Sequence, residues 1–193
     1  LSADDKEYDR STTATPTGTA VIDGKVDSDD VTVTPGTAAF ADKDVGTDKT
    51  VTFTGYSLSG ADAGNYNLKA QPASVTATIA AKEVTITSLT AANRSYEKDN
   101  KTVSLTKGTL TFDGLVGSET LDVNIPATGT ISDAKVGTYN VTYSDVTLAD
   151  GTGKAGNYKL VSPLPTVTVN ITKAAAPTLT NFDVTQKYTV DTE

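Results

Sequence analysis

Asp62-Ala63-Gly64-Asn65-Tyr66-Asn67-Leu68 is answered 92 positions on by Lys154-Ala155-Gly156-Asn157-Tyr158-Lys159-Leu160. Working outward, three more landmarks return in the same order. Tyr8 matches Tyr96 at a shift of 88. Asp23-Gly24-Lys25-Val26-Asp27-Ser28-Asp29 matches Asp113-Gly114-Leu115-Val116-Gly117-Ser118-Glu119 at 90, and Val45-Gly46-Thr47 matches Val136-Gly137-Thr138 at 91. A spacing that grows along the chain means one ancestral unit, with loop residues inserted in the second copy. Solenoid units of 20–50 residues cannot bury a face alone, whereas a unit near 90 can close its own core. Two tandem units are expected, over residues 1–82 and 83–173, with 174–193 as the start of another unit or a tail.

Between these landmarks the chain alternates polar and apolar residues. Val31-Thr32-Val33-Thr34, Thr50-Val51-Thr52-Phe53-Thr54, Ser74-Val75-Thr76-Ala77-Thr78-Ile79, Val84-Thr85-Ile86-Thr87 and Val167-Thr168-Val169-Asn170-Ile171-Thr172 all follow it. Such strands carry one apolar face and one hydroxyl face, as in antiparallel sheets packed on one side. Turn residues recur every 8–12 residues or so, the spacing of a sandwich. No window carries a 3.6-residue apolar stripe. An all-β chain of two antiparallel immunoglobulin-like sandwiches is predicted.

Asp62-Ala63-Gly64-Asn65-Tyr66 fits the D-x-G-x-Y spacing of a tyrosine corner, in which the hydroxyl bonds back to its own turn. The second copy has Lys154 in place of Asp62. Leu68 and Leu160, two places after each tyrosine, are expected to point inward. Stacking of a sugar on these tyrosines is the functional alternative.

The repeat also fixes the joint. The strand ending near Ile79 runs through Ala80-Ala81-Lys82 directly into the strand at 84–87. Leu1 aligns with Leu89, so that opening strand has no counterpart before Leu1, and the chain reads as cut from a longer array. A further strand is expected over 178–183, and Tyr188 lies 92 after Tyr96. A three-residue joint spans at most about 10 Å, so the units are expected end to end in an extended rod.

Composition narrows the chemistry. The net charge is −8 and the pI about 4.5, which argues against nucleic acid and anionic membrane surfaces. No run approaches a membrane span, and the first residues do not read as a secretory leader. With no His and no Cys, the usual zinc sites and base-activated nucleophiles cannot be built. Absence of Cys gives no reading of the redox compartment. Thr is the commonest residue, which supplies β-propensity with a soluble face. The sequons at Asn140 and Asn170 read as strand chemistry.

Asp23, Asp27, Asp29 and Asp30 form the densest acidic cluster, and calcium takes such oxygen ligands. The loop lacks the full calcium-loop pattern, and the second copy keeps only Asp113 and Glu119, so it reads as a solvated turn. Paired carboxylates for glycoside hydrolysis need a cleft, which turn-borne acids do not offer. Lys82, Lys173, Asn65 and Asn157 repeat between copies, as a Lys–Asn cross-link would require, but lie near turns and joints. Tyr56, Tyr139 and Tyr143 are expected to pack on strand neighbours, the alternative being an exposed aromatic platform. No catalytic, cofactor-binding or metal residues are assigned and no enzyme is expected.

Lys6-Glu7-Tyr8-Asp9-Arg10-Ser11-Thr12-Thr13-Ala14 resembles the K-x-Y-D-G-T-T-x-A opening of the YDG-type module. Phe40-Ala41-Asp42-Lys43-Asp44-Val45-Gly46-Thr47 and Leu58-Ser59-Gly60-Ala61-Asp62-Ala63-Gly64-Asn65-Tyr66 resemble its later signatures. The second copy departs at Arg94-Ser95-Tyr96-Glu97-Lys98-Asp99-Asn100. The resemblance covers most of residues 1–82 and, more loosely, 83–173. It implies a fold close to bacterial immunoglobulin-like modules and an extracellular, bacterial cell-surface location within adhesin- or haemagglutinin-like proteins. A non-catalytic stalk or adhesive repeat follows, with neighbouring modules of the same chain as partners. The alternative is a module that binds a glycan or protein ligand through loops or exposed Tyr.

Overall fold

The computed structural model describes residues 1–178. It is all-β, 42% strand and 3% helix. The helical residues include single turns at Ala63–Asn65 and Ala155–Asn157, the Ala-Gly-Asn of the repeated motif. The strand expected over 178–183 lies, beyond Thr178, outside the described residues, as does Tyr188.

Each copy builds one sheet in the same spatial order. In the first, Lys6–Glu7, Val75–Ala80, Gly46–Thr54, Thr37–Phe40 and Thr13–Ala14 lie side by side. In the second, Arg94–Ser95, Val167–Thr172 and Gly137–Val141 are neighbours, and the bridge Thr130↔Thr142 carries the order on to Thr128–Thr130 and Thr102–Thr106. Smaller two-stranded pairings lie outside these sheets, Thr32–Thr34 with Ser57–Ser59 and Leu121–Asn124 with Thr147–Asp150.

The expectation of purely antiparallel sheets needs correcting. Lys6–Glu7 runs parallel to Val75–Ala80, and Arg94–Ser95 parallel to Val167–Thr172. Lys82–Ile86 pairs in parallel with Tyr158–Leu160 and antiparallel with Phe112–Asp113. The reason is placement: each copy's short opening strand lies against its own last strand, which a hairpin cannot connect.

Burial follows the alternation. Along Val167–Thr172 every second residue is buried, and Val51, Phe53 and Ile79 line the first sheet at 0%, 1% and 0% exposure. Full burial of one such side chain stabilises by about 1.5–3 kcal/mol. A second core gathers Ile86, Val103, Val123, Val141, Val169 and Ile171. The first core is not confined to the first copy. Val84, Leu121 and Tyr158 pack into it beside Tyr8, Phe40 and Phe53.

The joint is shorter than expected: Ala81 alone separates strands Val75–Ala80 and Lys82–Ile86. Lys82–Ile86 lies between Phe112–Asp113 and Tyr158–Leu160 of the second copy. In the first copy Leu1, Ala20, Ile22, Val33 and Tyr56 line a pocket. Leu68, which lines an adjoining pocket, is 44% exposed, which corrects its inward assignment: its counterpart Leu160 pairs with Val84, whereas among the described residues no strand pairs with Leu68. Leu160 is half-buried against the second core.

Candidate functional site

The densest set of buried polar contacts lies where the copies meet. Glu119 is 8% exposed and Asn157 2%, the two buried polar or charged residues among those described. The Tyr8 hydroxyl donates to Glu119 Oε1 at 2.9 Å, and the Tyr158 hydroxyl donates to Oε2 at 2.5 Å. Arg10 Nε stands 3.2 Å from the same Oε1, so one carboxylate serves both copies. The rings of Tyr8 and Tyr158 meet edge to face at 5.4 Å, a geometry favoured by the aromatic quadrupole. Lys43 lies over the Tyr8 ring, 5.6 Å from its centroid. A carboxylate removed from water needs such partners to remain charged.

Beside it, Asn157 bridges the copies with both ends of its amide. Its Oδ1 accepts from the Val45 backbone N–H at 2.9 Å, and its Nδ2 donates to Asp44 Oδ1 at 2.9 Å. Lys154 Nζ donates to the other Asp44 oxygen at 2.5 Å. The hydrogen bond from Lys154, then that from Asn157, holds the Asp44 carboxyl below its usual range. Asp44 in turn raises the Lys154 ammonium. Burial, and next the hydrogen bond to Glu119, pushes the Tyr158 phenol up to about 12.

Local structure sets these side chains in place. Tyr8 follows the short strand Lys6–Glu7, and its backbone N–H donates to the Ala80 carbonyl at 2.9 Å. Lys6 Nζ ties down the turn after it, donating to Asp9, to the Ser11 carbonyl and to the Thr13 carbonyl. Arg10 stands where the resembled motif has Gly, and its φ is 68°. A side chain costs energy in that left-handed conformation, and here the side chain reaches Glu119.

The tyrosine-corner expectation is half right. Both tyrosines lock a loop, but not their own turn. Tyr66 donates to Asp29 Oδ2 at 2.6 Å and accepts from the Val26 N–H at 3.0 Å. Tyr158 repeats this with Glu119 and the Val116 N–H. The turn ahead of Tyr66 is closed instead by Asp62, whose Oδ2 accepts from the Asp30 N–H at 2.8 Å. In the second copy Thr152 Oγ1 takes that place, accepting from the Thr120 N–H at 2.8 Å, so Lys154 is free to face Asp44. The Tyr66 phenol is raised chiefly by its bond to Asp29.

Other candidates fall apart spatially. Asp29 serves Tyr66, while Asp23, Asp27 and Asp30 are exposed; among the described residues no three acidic side chains converge on a cation site. Lys82 pairs with Glu7 at 2.7 Å, Lys173 and Asn65 are exposed, and Asn157 binds Asp44, so the repeated Lys and Asn do not meet. Tyr56 is 6% exposed and meets Phe53 edge to face at 6.1 Å. Tyr139 and Tyr143 pack on the second core, leaving no aromatic platform from these three. Sequence reasoning marked Tyr8, Glu119 and Lys154 as positions of the repeat, but not as partners. Asp44 gave no signal beyond its place ahead of Val45-Gly46-Thr47.

The YDG domain matches residues 1–75 and 80–169, one stretch for each copy. This chain belongs to the YDG domain family. No curated protein matches it, and no solved structure does. Within this family context the second copy's divergent opening keeps its architecture. Arg94 and Glu97 are spaced as Lys6 and Asp9 are, and the Tyr96 N–H donates to the Thr172 carbonyl at 2.8 Å as Tyr8 does to Ala80. No helix among the described residues is long and apolar enough to cross a membrane.

Proposed function

We propose that this YDG chain is a non-catalytic spacer segment of a bacterial cell-surface protein. In this reading each copy is an immunoglobulin-like sandwich, and the copies stand end to end to carry a more distal part of the protein away from the cell. The observation that carries the reading is the joint. A single residue, Ala81, separates the strands of the two copies, and Glu119 bonds tyrosines from both. A stalk needs resistance to bending at each joint, and a buried, fully partnered polar cluster provides it. A catalytic role would require convergent acid–base groups in a cleft, and the clustered groups of this chain are spent on one another.

Backbone ¹⁵N relaxation of the whole chain tests the reading. The spacer reading expects amides of both copies to report one anisotropic tumbling tensor. Two independent, faster correlation times would contradict it.

A further inference from the structure

Among the described residues five large hydrophobic side chains are exposed: Val21 and Leu68 line one pocket of the first copy, while Val26, Tyr96 and Val136 stand at repeat positions whose counterparts pack at the joint. Tyr96 is 39% exposed and Val136 49%, and they are the positional counterparts of Tyr8 and Val45. Tyr8 is 1% exposed, and Val45 packs on the core that the copies share. On the first copy, Val26 is 62% exposed, while its counterpart Val116 packs on that shared core. Each copy thus has a head, carrying the Tyr8-type residue, and a foot, carrying the carboxylate–tyrosine pair. Head one is joined to foot two. Among the described residues, head two and foot one meet no such counterpart.

We infer that the Tyr96–Val136 face of the second copy is a docking surface for the foot of another YDG module, of the kind presented by Asp29, Asp62 and Tyr66. The charges complement each other in a way that the existing joint does not dictate. At that joint the head contributes Asp44 and the foot Lys154, paired at 2.5 Å. One position before Val136, where Asp44 precedes Val45, stands Lys135. At the Lys154 position of the first copy stands Asp62. Both signs are reversed: Lys135, 3.5 Å from the exposed Asp133, would face Asp62, whose Oδ2 accepts from the Asp30 N–H, so the free head complements the free foot. Asp29 already binds Tyr66 as Glu119 binds Tyr158, and its carboxylate is placed to receive the Tyr96 hydroxyl. An interface joining unlike faces of like units adds them head to foot, giving an open line where the rotation between units does not close a ring. This inference rests on the spacer reading and names the contact by which such a spacer would extend.

Two copies of this chain can make the contact between molecules. Two-dimensional ¹⁵N–¹H spectra recorded as the whole chain is raised to about 1 mM should show shifts confined to the two faces, around Asn65 and Tyr66 and around Tyr96 and Val136. Lys135→Asp should weaken the association about tenfold, and adding Asp62→Lys should restore it. Lys135 is 81% exposed at its side chain, with Asp133 3.5 Å away. Asp62→Lys gives up the bond accepted from the Asp30 N–H, so the fold of each variant is checked by its own ¹⁵N–¹H spectrum at low concentration before association is measured. Since the chain has no Cys, Lys135→Cys with Asp62→Cys should give a ladder of disulfide-linked chains under mild oxidation, faster than Ser104→Cys with Asp62→Cys. Absent or misplaced shifts, charge reversal without effect, or equal ladder rates would each overturn the docking surface. The relaxation result on dilute chain is independent of all three, so failure here is distinguishable from failure of the spacer reading.

Discussion

The hydroxyl of Tyr8 reaches across the joint to the carboxylate of Glu119, 111 positions along the chain and 2.9 Å away. Among the described residues, its counterpart in the second copy, Tyr96, meets no such partner and is 39% exposed. The same repeat position is therefore a lock between the copies at Tyr8 and a partly exposed group at Tyr96.

Glu119→Ala should be among the most damaging single substitutions at the joint. It strands the hydroxyls of Tyr8 and Tyr158, and a buried polar group left unpaired costs about 1–3 kcal/mol. Asp29→Ala, the same position in the first copy, should cost less than about 1 kcal/mol, because its surroundings are open to water. Thermal or chemical denaturation of both variants checks the ranking. Equal losses would contradict it.

The paired tyrosines should differ in the same direction. Tyr158→Phe removes a buried hydrogen bond, with an expected loss on the order of 0.5–1.5 kcal/mol. Tyr66→Phe removes a more exposed bond to Asp29 and should fall below that. Denaturant midpoints read the difference, and an unmoved Tyr158→Phe midpoint would count against the lock.

Gly114 and Gly24 form a second matched pair. Both have positive φ, at 95° and 81°, so alanine strains either by about 1–2 kcal/mol. A Cβ at Gly114 would also lie 2.5 Å from the Glu83 carbonyl oxygen, while one at Gly24 meets open space. Gly114→Ala should therefore destabilise clearly more than Gly24→Ala, and should perturb the strand that leaves the joint. Matching unfolding curves would contradict the placement of that strand.

Two titrations bear on the joint from opposite sides. Asp44 has a lowered pKa when folded, so its contribution is present above the unfolded value, near 3.9, and is lost as pH falls through the folded one. The Lys154 and Asn157 resonances should shift with that acid transition. Tyr158 has a raised pKa, so its contribution is complete below the unfolded value near 10 and is lost as pH rises towards about 12. Ultraviolet difference titration should show Tyr158 among the late-ionising tyrosines, with Tyr66 and Tyr143 also raised, and early ionisation of all eight would contradict its burial.

Much of the fold was legible because side-chain alternation is set by the strand itself. Val167-Thr168-Val169-Asn170-Ile171-Thr172 could face a core in only one way. The repeat likewise aligned Tyr66 with Tyr158 and Asp29 with Glu119, whose pairing is what locks each loop. What the sequence could not disclose was contact between copies. The loop assigned to solvent from Asp23, Asp27, Asp29 and Asp30 is half-exposed at Asp29, yet its second version buries Glu119, because burial there depends on a neighbour. Arg10 is another case: only its left-handed backbone, in a place where the family motif has Gly, shows that its side chain has a task. The parallel pairing of Lys6–Glu7 escaped the pattern too, since two residues cannot establish a period.

Small-angle X-ray scattering of the dilute chain tests most directly the claim that a locked joint holds the copies end to end. A compact globule of this length would have a radius of gyration of about 16 Å. The account predicts a clearly larger value and a pair-distance distribution with a shoulder at long distance, both preserved as salt is raised. A single symmetric peak with a radius near that of the globule would contradict it.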